Sequence, residues 1–172
     1  MSYDWLKQES APRILVQAVK QLGVKEIVGK AHNPIILSWA KELRLSKVYT
    51  NDEIPWCGLF IAYCAKSAGL EVVERPLWAL NWNKFGNRVL EPMLGDVLTF
   101  KRNGGGHVGI YVGEDDTHYH VLGGNQNNSV SVSRIAKSRL NQARRTSWKV
   151  AQPANVRVVK LESKGIITTN EQ

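Results

Sequence analysis

The chain has little cysteine: two in 172 residues, too few for a disulfide framework. Cys57 and Cys64 stand seven apart. In one helix that is about 10 Å of rise, beyond the roughly 7 Å that a disulfide spans, so both are expected to be free thiols. No run of about eighteen apolar residues occurs, which excludes a membrane-spanning helix from the expectations. The opening MSYDWLKQES lacks the basic-then-apolar succession of a secretory leader, so synthesis in a cytoplasm without a signal peptide is expected. There is no internal repeat and no linker. The reading is one domain over residues 1–172, with a core over about 12–161 and a flexible tail over 162–172.

What is present belongs to a folded globular chain: 43% hydrophobic residues, 22% charged residues and six tryptophans. The net charge of +8 implies an anionic partner or surroundings. Part of that charge is local. RIAKSRLNQARRTSWK, 134–149, holds six Lys or Arg and no acid, and reads as a solvated basic face. No nucleic-acid recognition motif accompanies it, so nucleic acid is not an expected partner.

Three helices come first. SAPRILVQAVKQLG offers Ser10 as cap, Pro12 in the first turn and Gly23 as stop. NPIILSWAKELR has Asn33 as cap, Pro34 at the first position and Ile36, Trp39, Ala40 and Leu43 on one face. IPWCGLFIAYCAKSAG opens at Pro55, closes at Gly69 and is apolar almost all round, the mark of a buried central helix. A Trp-rich connection, RPLWALNWNKFGN, follows as a short helix or loop. From Gly95 the texture is β: GDVLTF, HVGIYVG, THYHVL and SVSVSR read as strands, and WKV and NVRVVKL supply one or two more. Helices followed by a run of strands predict an α+β domain with an antiparallel sheet.

Cys57 falls in the first turn of the third helix, where unpaired N–H groups and the helix dipole favour an anion, so its thiol pKa is expected to fall. Cys64, two turns in, is expected to be inert. A thiol nucleophile needs a base, and His107 opens a strand whose glycines at 109 and 113 leave the histidine's side uncrowded. If Asp115–Asp116 is the hairpin turn, His107 faces Gly124, give or take one residue. Asn125 then sits beside His107 and can bond its far ring nitrogen, leaving the other for the thiol. That register keeps His118 and His120 far from His107, which weighs against a zinc site built from Cys57 and the histidines; no metal and no cofactor is expected. His118 and His120 read as a surface or groove-edge face. His32 has no identifiable partner.

DEIPWCGLF, GDVLTFKRNGGGHVGIYVGED and VLGGNQNNSVSV resemble the papain-like cell-wall hydrolases grouped as CHAP and NlpC/P60 domains, nearest to a branch found in phage lysins and related bacterial proteins. AVKQLGVKEIVGKAHNPIILSWAKEL and LWALNWNKFG are similar to that branch too, so the likeness covers about 12–150. It implies a papain-like fold with N-terminal helices packed on a small antiparallel sheet. Cys57 matches the nucleophile, His107 the general base and Asn125 the polar residue orienting it, where CHAP members often carry an acid and NlpC/P60 members a histidine. Asn127 matches an accessory asparagine contact. Trp56, Trp78 and Trp82 are candidates to line a groove for sugar or peptide, and Trp56, next to the nucleophile, is the one taken forward as substrate-binding.

The resemblance implies amide hydrolysis of bacterial peptidoglycan through an acyl-enzyme, by a cysteine amidase or endopeptidase acting as a monomer without membrane insertion. A phage endolysin, made in the host cytoplasm and acting on the wall after release, is the first setting. A secreted antibacterial amidase fits the same residues. The reading from another class is a catalytically inactive wall-binding or phage structural module.

Overall fold

The computed structural model describes residues 2–169. The three helices are α1 (Arg13–Val19), α2 (Pro34–Glu42) and α3 (Cys57–Ser67). Asn33 caps α2 as its sequence suggests, its side chain accepting from the Ile35 N–H at 2.8 Å. Ser10 does not cap α1, which starts after Pro12, and Pro55 lies outside α3, whose first residue is Cys57. Eight of the eleven residues of α3 are buried, as its all-round apolar composition requires. The core also reaches upstream of residue 12, through Leu6.

Six antiparallel strands form one sheet in the order β1-β6-β2-β3-β4-β5. They are β1 (Asn87–Val89), β2 (Val97–Arg102), β3 (Gly105–Glu114), β4 (His118–Gln126), β5 (Ser129–Ala136) and β6 (Leu140–Arg145). The four strands expected between 95 and 134 are present. WKV and NVRVVKL form none: residues 159–161 only run beside Glu114, joined through the Glu114 and Leu161 N–H groups. The remaining strands are β1 and β6, whose LNQARR lacks apolar alternation. The Trp-rich connection contains a 3₁₀ helix, Ala79–Lys84.

The two faces of the sheet bury different material. Val97, Val108, Ile110, Val112 and Leu122 join the helices in the main core. Leu98, Phe100, Tyr111, Val121, Ile135 and Ala143 form a second buried cluster drawn entirely from the strands. Segments outside the sheet help to close this face: the Val159 N–H donates to the Tyr111 hydroxyl at 3.2 Å, and Leu161 lies over Gly113.

Several charges expected at the surface are spent internally. Arg134 binds Asp115, Lys137 binds Glu114 and Arg145 binds Asp96, while Arg144 donates to the carbonyls of Phe85 and Gly86. The 134–149 run is therefore less a solvated face than a set of internal partners. Nor is the described part of the tail loose. Arg134 N–H donates to the Ile166 carbonyl and Thr168 N–H to the Arg134 carbonyl, and Thr168 is buried. Residues 170–172 of the expected tail lie outside the described residues.

Candidate active site

Because α3 begins at Cys57, the thiol sits among the helix's unpaired N–H groups. The backbone N–H groups of Val108, the residue after His107, and of Gly58 favour a thiolate at its sulphur, so the helix start lies close to β3. Gly124 of β4 permits the sheet's approach, since a Cβ there would lie 2.7 Å from Phe60 Cβ and 2.9 Å from the Trp56 ring. Gly58 lets the 76–77 backbone lie against the helix start, where a Cβ would collide with the Pro76 carbonyl.

The expected fall in the Cys57 pKa does not occur. Burial pushes the thiol up, and outweighs the donors from Val108 and Gly58 and the charge of Arg102. The side chain is only 7% exposed, so desolvating an anion there exceeds what the helix start supplies. Cys57 rests as a thiol and needs a base. Cys64 is wholly buried, and burial alone drives its pKa up, as an inert core thiol requires.

His107 is buried, pairs with Phe100 across β2 and β3, and stacks on its ring at 6.4 Å. Its Nε2 lies 3.0 Å from Gln126 Oε1. Gln126 Nε2 donates to the carbonyls of Val121 and Ser131, at 3.0 and 2.7 Å, which leaves Oε1 facing the imidazole. An amide oxygen only accepts, so His107 carries its proton on Nε2, and in the neutral ring Nδ1 is the basic nitrogen.

Gln126, not Asn125, is therefore the partner of His107, and a bulge is the reason. The hairpin loop spans 115–117 rather than two residues, pairing shifts between Tyr111 and Gly113, and it shifts again between Gly123 and Gln126. Asn125 takes φ +58° in that bulge, which turns its side chain away and brings Gln126 to the histidine. Asn125 instead lines a cleft of about 270 Å³ with Glu26, Glu53, Pro55, Arg102 and Asn128. It is 4% exposed, and its Oδ1 has no hydrogen-bond partner.

Asn127 is exposed and forms with Asn128 the two-residue turn between β4 and β5. Their φ of 51° and 55° match the type I′ geometry that asparagine tolerates. Trp56 is wholly buried against Trp39, and its Nε1 donates to Glu26 Oε2 at 3.2 Å. It is a core residue and presents no ring to a substrate. Trp82 is buried as well, donating to the Pro76 carbonyl. Of the three groove candidates only Trp78, 72% exposed, shows its ring, on the segment whose Pro76 and Leu77 backbone lies against Gly58.

The remaining histidines have partners that the sequence reading did not supply. His32 Nδ1 meets Asp52, a buried carboxylate that also accepts the N–H groups of Ile27 and Asn33. His120 is buried, not a surface or groove-edge residue, and bonds Tyr3 and Asp115. Among the described residues no three His, Cys, Asp or Glu side chains group as metal ligands. Gln126, Glu26 and Arg102 are the site residues that sequence reasoning missed. Within "GGNQNN" the asparagine pair signals a tight turn, but nothing in it signals the bulge that selects Gln126.

Neither the scan against protein-family models nor the search of curated proteins matches this chain.

Proposed function

We propose that the protein is a cysteine amidase or endopeptidase of papain-like fold that hydrolyses bacterial peptidoglycan, with a phage endolysin as its setting. One observation carries the catalytic part: the Cys57 sulphur lies against the N–H that follows His107, and Gln126 fixes that histidine's tautomer. His107 takes the thiol proton as Sγ attacks the amide carbonyl, and the backbone N–H of Cys57 at the helix start stabilises the oxyanion. His107 returns the proton to the leaving amine, and a thioester remains. Water, deprotonated by His107, attacks the thioester; the acid leaves and the thiol re-forms. The substrate class rests on the resemblance of the Trp-Cys, Gly-Asp and Gly-His-Val-Gly segments, and the +8 charge suits a wall rich in carboxylates and phosphates.

The test is incubation of the protein and of Cys57→Ala with peptidoglycan, with mass spectrometry of the soluble products. Fragments from the wild type, reduced at least about 10³-fold in the variant, are the expected outcome, and the new termini identify the bond. No fragments from either folded protein, across several wall chemotypes, would overturn the hydrolase and leave the wall-binding module.

A further inference from the structure

The cleft lined by Pro55, two residues before Cys57, and by Asn125, next to Gln126, has an unusual balance of hydrogen-bonding groups. Glu26 and Glu53 bring two carboxylates to it, and Asn125 brings an amide oxygen that is buried and unpartnered. A buried acceptor left without a donor keeps its desolvation penalty uncompensated, and a donor on a ligand removes it. Glu26 uses Oε2 for the Trp56 indole, and Oε1 remains for a further donor. Arg102 is the one cation of the lining. Its Nε is engaged by the Gly106 carbonyl, and its charge acts on the Cys57 sulphur, so it marks the reactive end.

We propose that this cleft holds a primary ammonium group of the peptide being cut, seated between Glu26, Glu53 and Asn125 Oδ1. An ammonium has three donors and no acceptor, matching three acceptors of which two are charged. Arg102 repels the cation from the Cys57 end and so sets its distance from the scissile amide. Asn125 becomes a specificity residue instead of the orienting partner of His107. Turning its amide toward the ligand breaks no bond to Oδ1, since that oxygen has none. The group is either a free α-amine or the side-chain amine of a diamino acid. The inference rests on the hydrolase reading for what lies beside the ammonium, but its test reads binding alone.

The protein used is the full chain with Cys57→Ala, titrated by calorimetry with three short peptides. One has an acetylated amino terminus and a free lysine side chain, one a free α-amine and norleucine, and one has both amines blocked. At least one amine-bearing peptide is expected to bind about tenfold tighter than the blocked one, and which one identifies the source. Adding Glu53→Gln or Glu26→Gln should erase most of that preference, the new amide still accepting from Trp56 in the second case. Adding Asn125→Asp, which tolerates positive φ, should tighten the amine peptide several-fold, an outcome that a merely structural asparagine would not produce. Equal affinity for all three peptides, no binding by any of them, or a preference untouched by the three substitutions would overturn the proposal. Amine-selective binding by a protein whose wild type releases no wall fragments would leave it standing while the hydrolase fell.

Discussion

At the turn end of the β3–β4 hairpin, His120 faces Asp115 through Nε2 at 2.9 Å and Tyr3 through Nδ1 at 2.7 Å. Asp115 also takes Arg134 Nε at 2.8 Å and the N–H groups of Thr117 and His118. At the open end, His107 is just as buried, but its Nε2 partner is the neutral amide of Gln126, and the neighbouring groups are a thiol contact and an acceptor left without a donor. Two histidines on one hairpin thus serve opposite ends. The first sits in a closed network whose charges cancel, and that arrangement ties the N-terminal segment and β5 to the sheet. The second is held in one tautomer by a partner that adds no charge, next to a thiol that needs a base. Burial and a side-chain partner are common to both histidines; the two differ in the charge of that partner and in the state of the surrounding acceptors.

The sharpest way to break this comparison is to remove a charge at the closed end. Although burial raises its pKa, the hydrogen bonds from Arg134, Thr117, His120 and His118 hold the Asp115 carboxyl well below the usual carboxylate range. Asp115→Asn leaves Arg134 buried without its anion and should cost about 3–5 kcal/mol, read by urea unfolding, with activity per folded molecule unchanged. Activity lost in proportion to stability would make the two ends one unit. Next in size, Gln126→Ala should lower kcat about 10²-fold by releasing the His107 ring, while Asn125→Asp should act on KM. The reverse pattern would return the orienting role to Asn125.

The smallest effect is on pH. Burial lowers the His120 pKa below 6.5, against the pull of Asp115, so the unfolded chain binds that proton first. The stability His120 contributes is complete above about 6.5 and is lost as pH falls below it toward the folded value. Denaturation midpoints between pH 7 and 5 should show that loss in the wild type and less of it in His120→Gln.

Much of the fold was legible because local patterns and tertiary needs agreed. Asn33-Pro34 starts α2, the apolar run after Cys57 is the buried helix, and the β-branched segments from 97 to 134 are strands. β6 was hidden because LNQARR has no apolar alternation. It is a strand because its neighbours β1 and β2 need its backbone, and its arginines reach Asp96 and the Phe85 and Gly86 carbonyls. Valines drew a strand prediction onto 155–161, where backbone pairing is limited to Glu114 and a single bond from the Leu94 N–H to the Arg157 carbonyl. Cys57 and His107 were legible from their places at a helix start and a strand start. Gln126 was not, since a one-residue bulge reverses which side chain faces the histidine.

By itself, then, the sequence determined the class of architecture, the helix that carries Cys57 and the strand that carries His107, because capping, periodicity and turn chemistry act over a few residues. The second buried cluster on the far face of the sheet, the bulge that puts Gln126 on His107, the burial of Trp56 and the direction of the Cys57 pKa were decided only in the tertiary structure. Each depends on atoms from segments far apart in the chain: Phe60 and Trp56 against Gly124, Arg134 against Asp115, Glu26 against Trp56. Desolvation, which sets the thiol's pKa, has no value until those segments have closed over it.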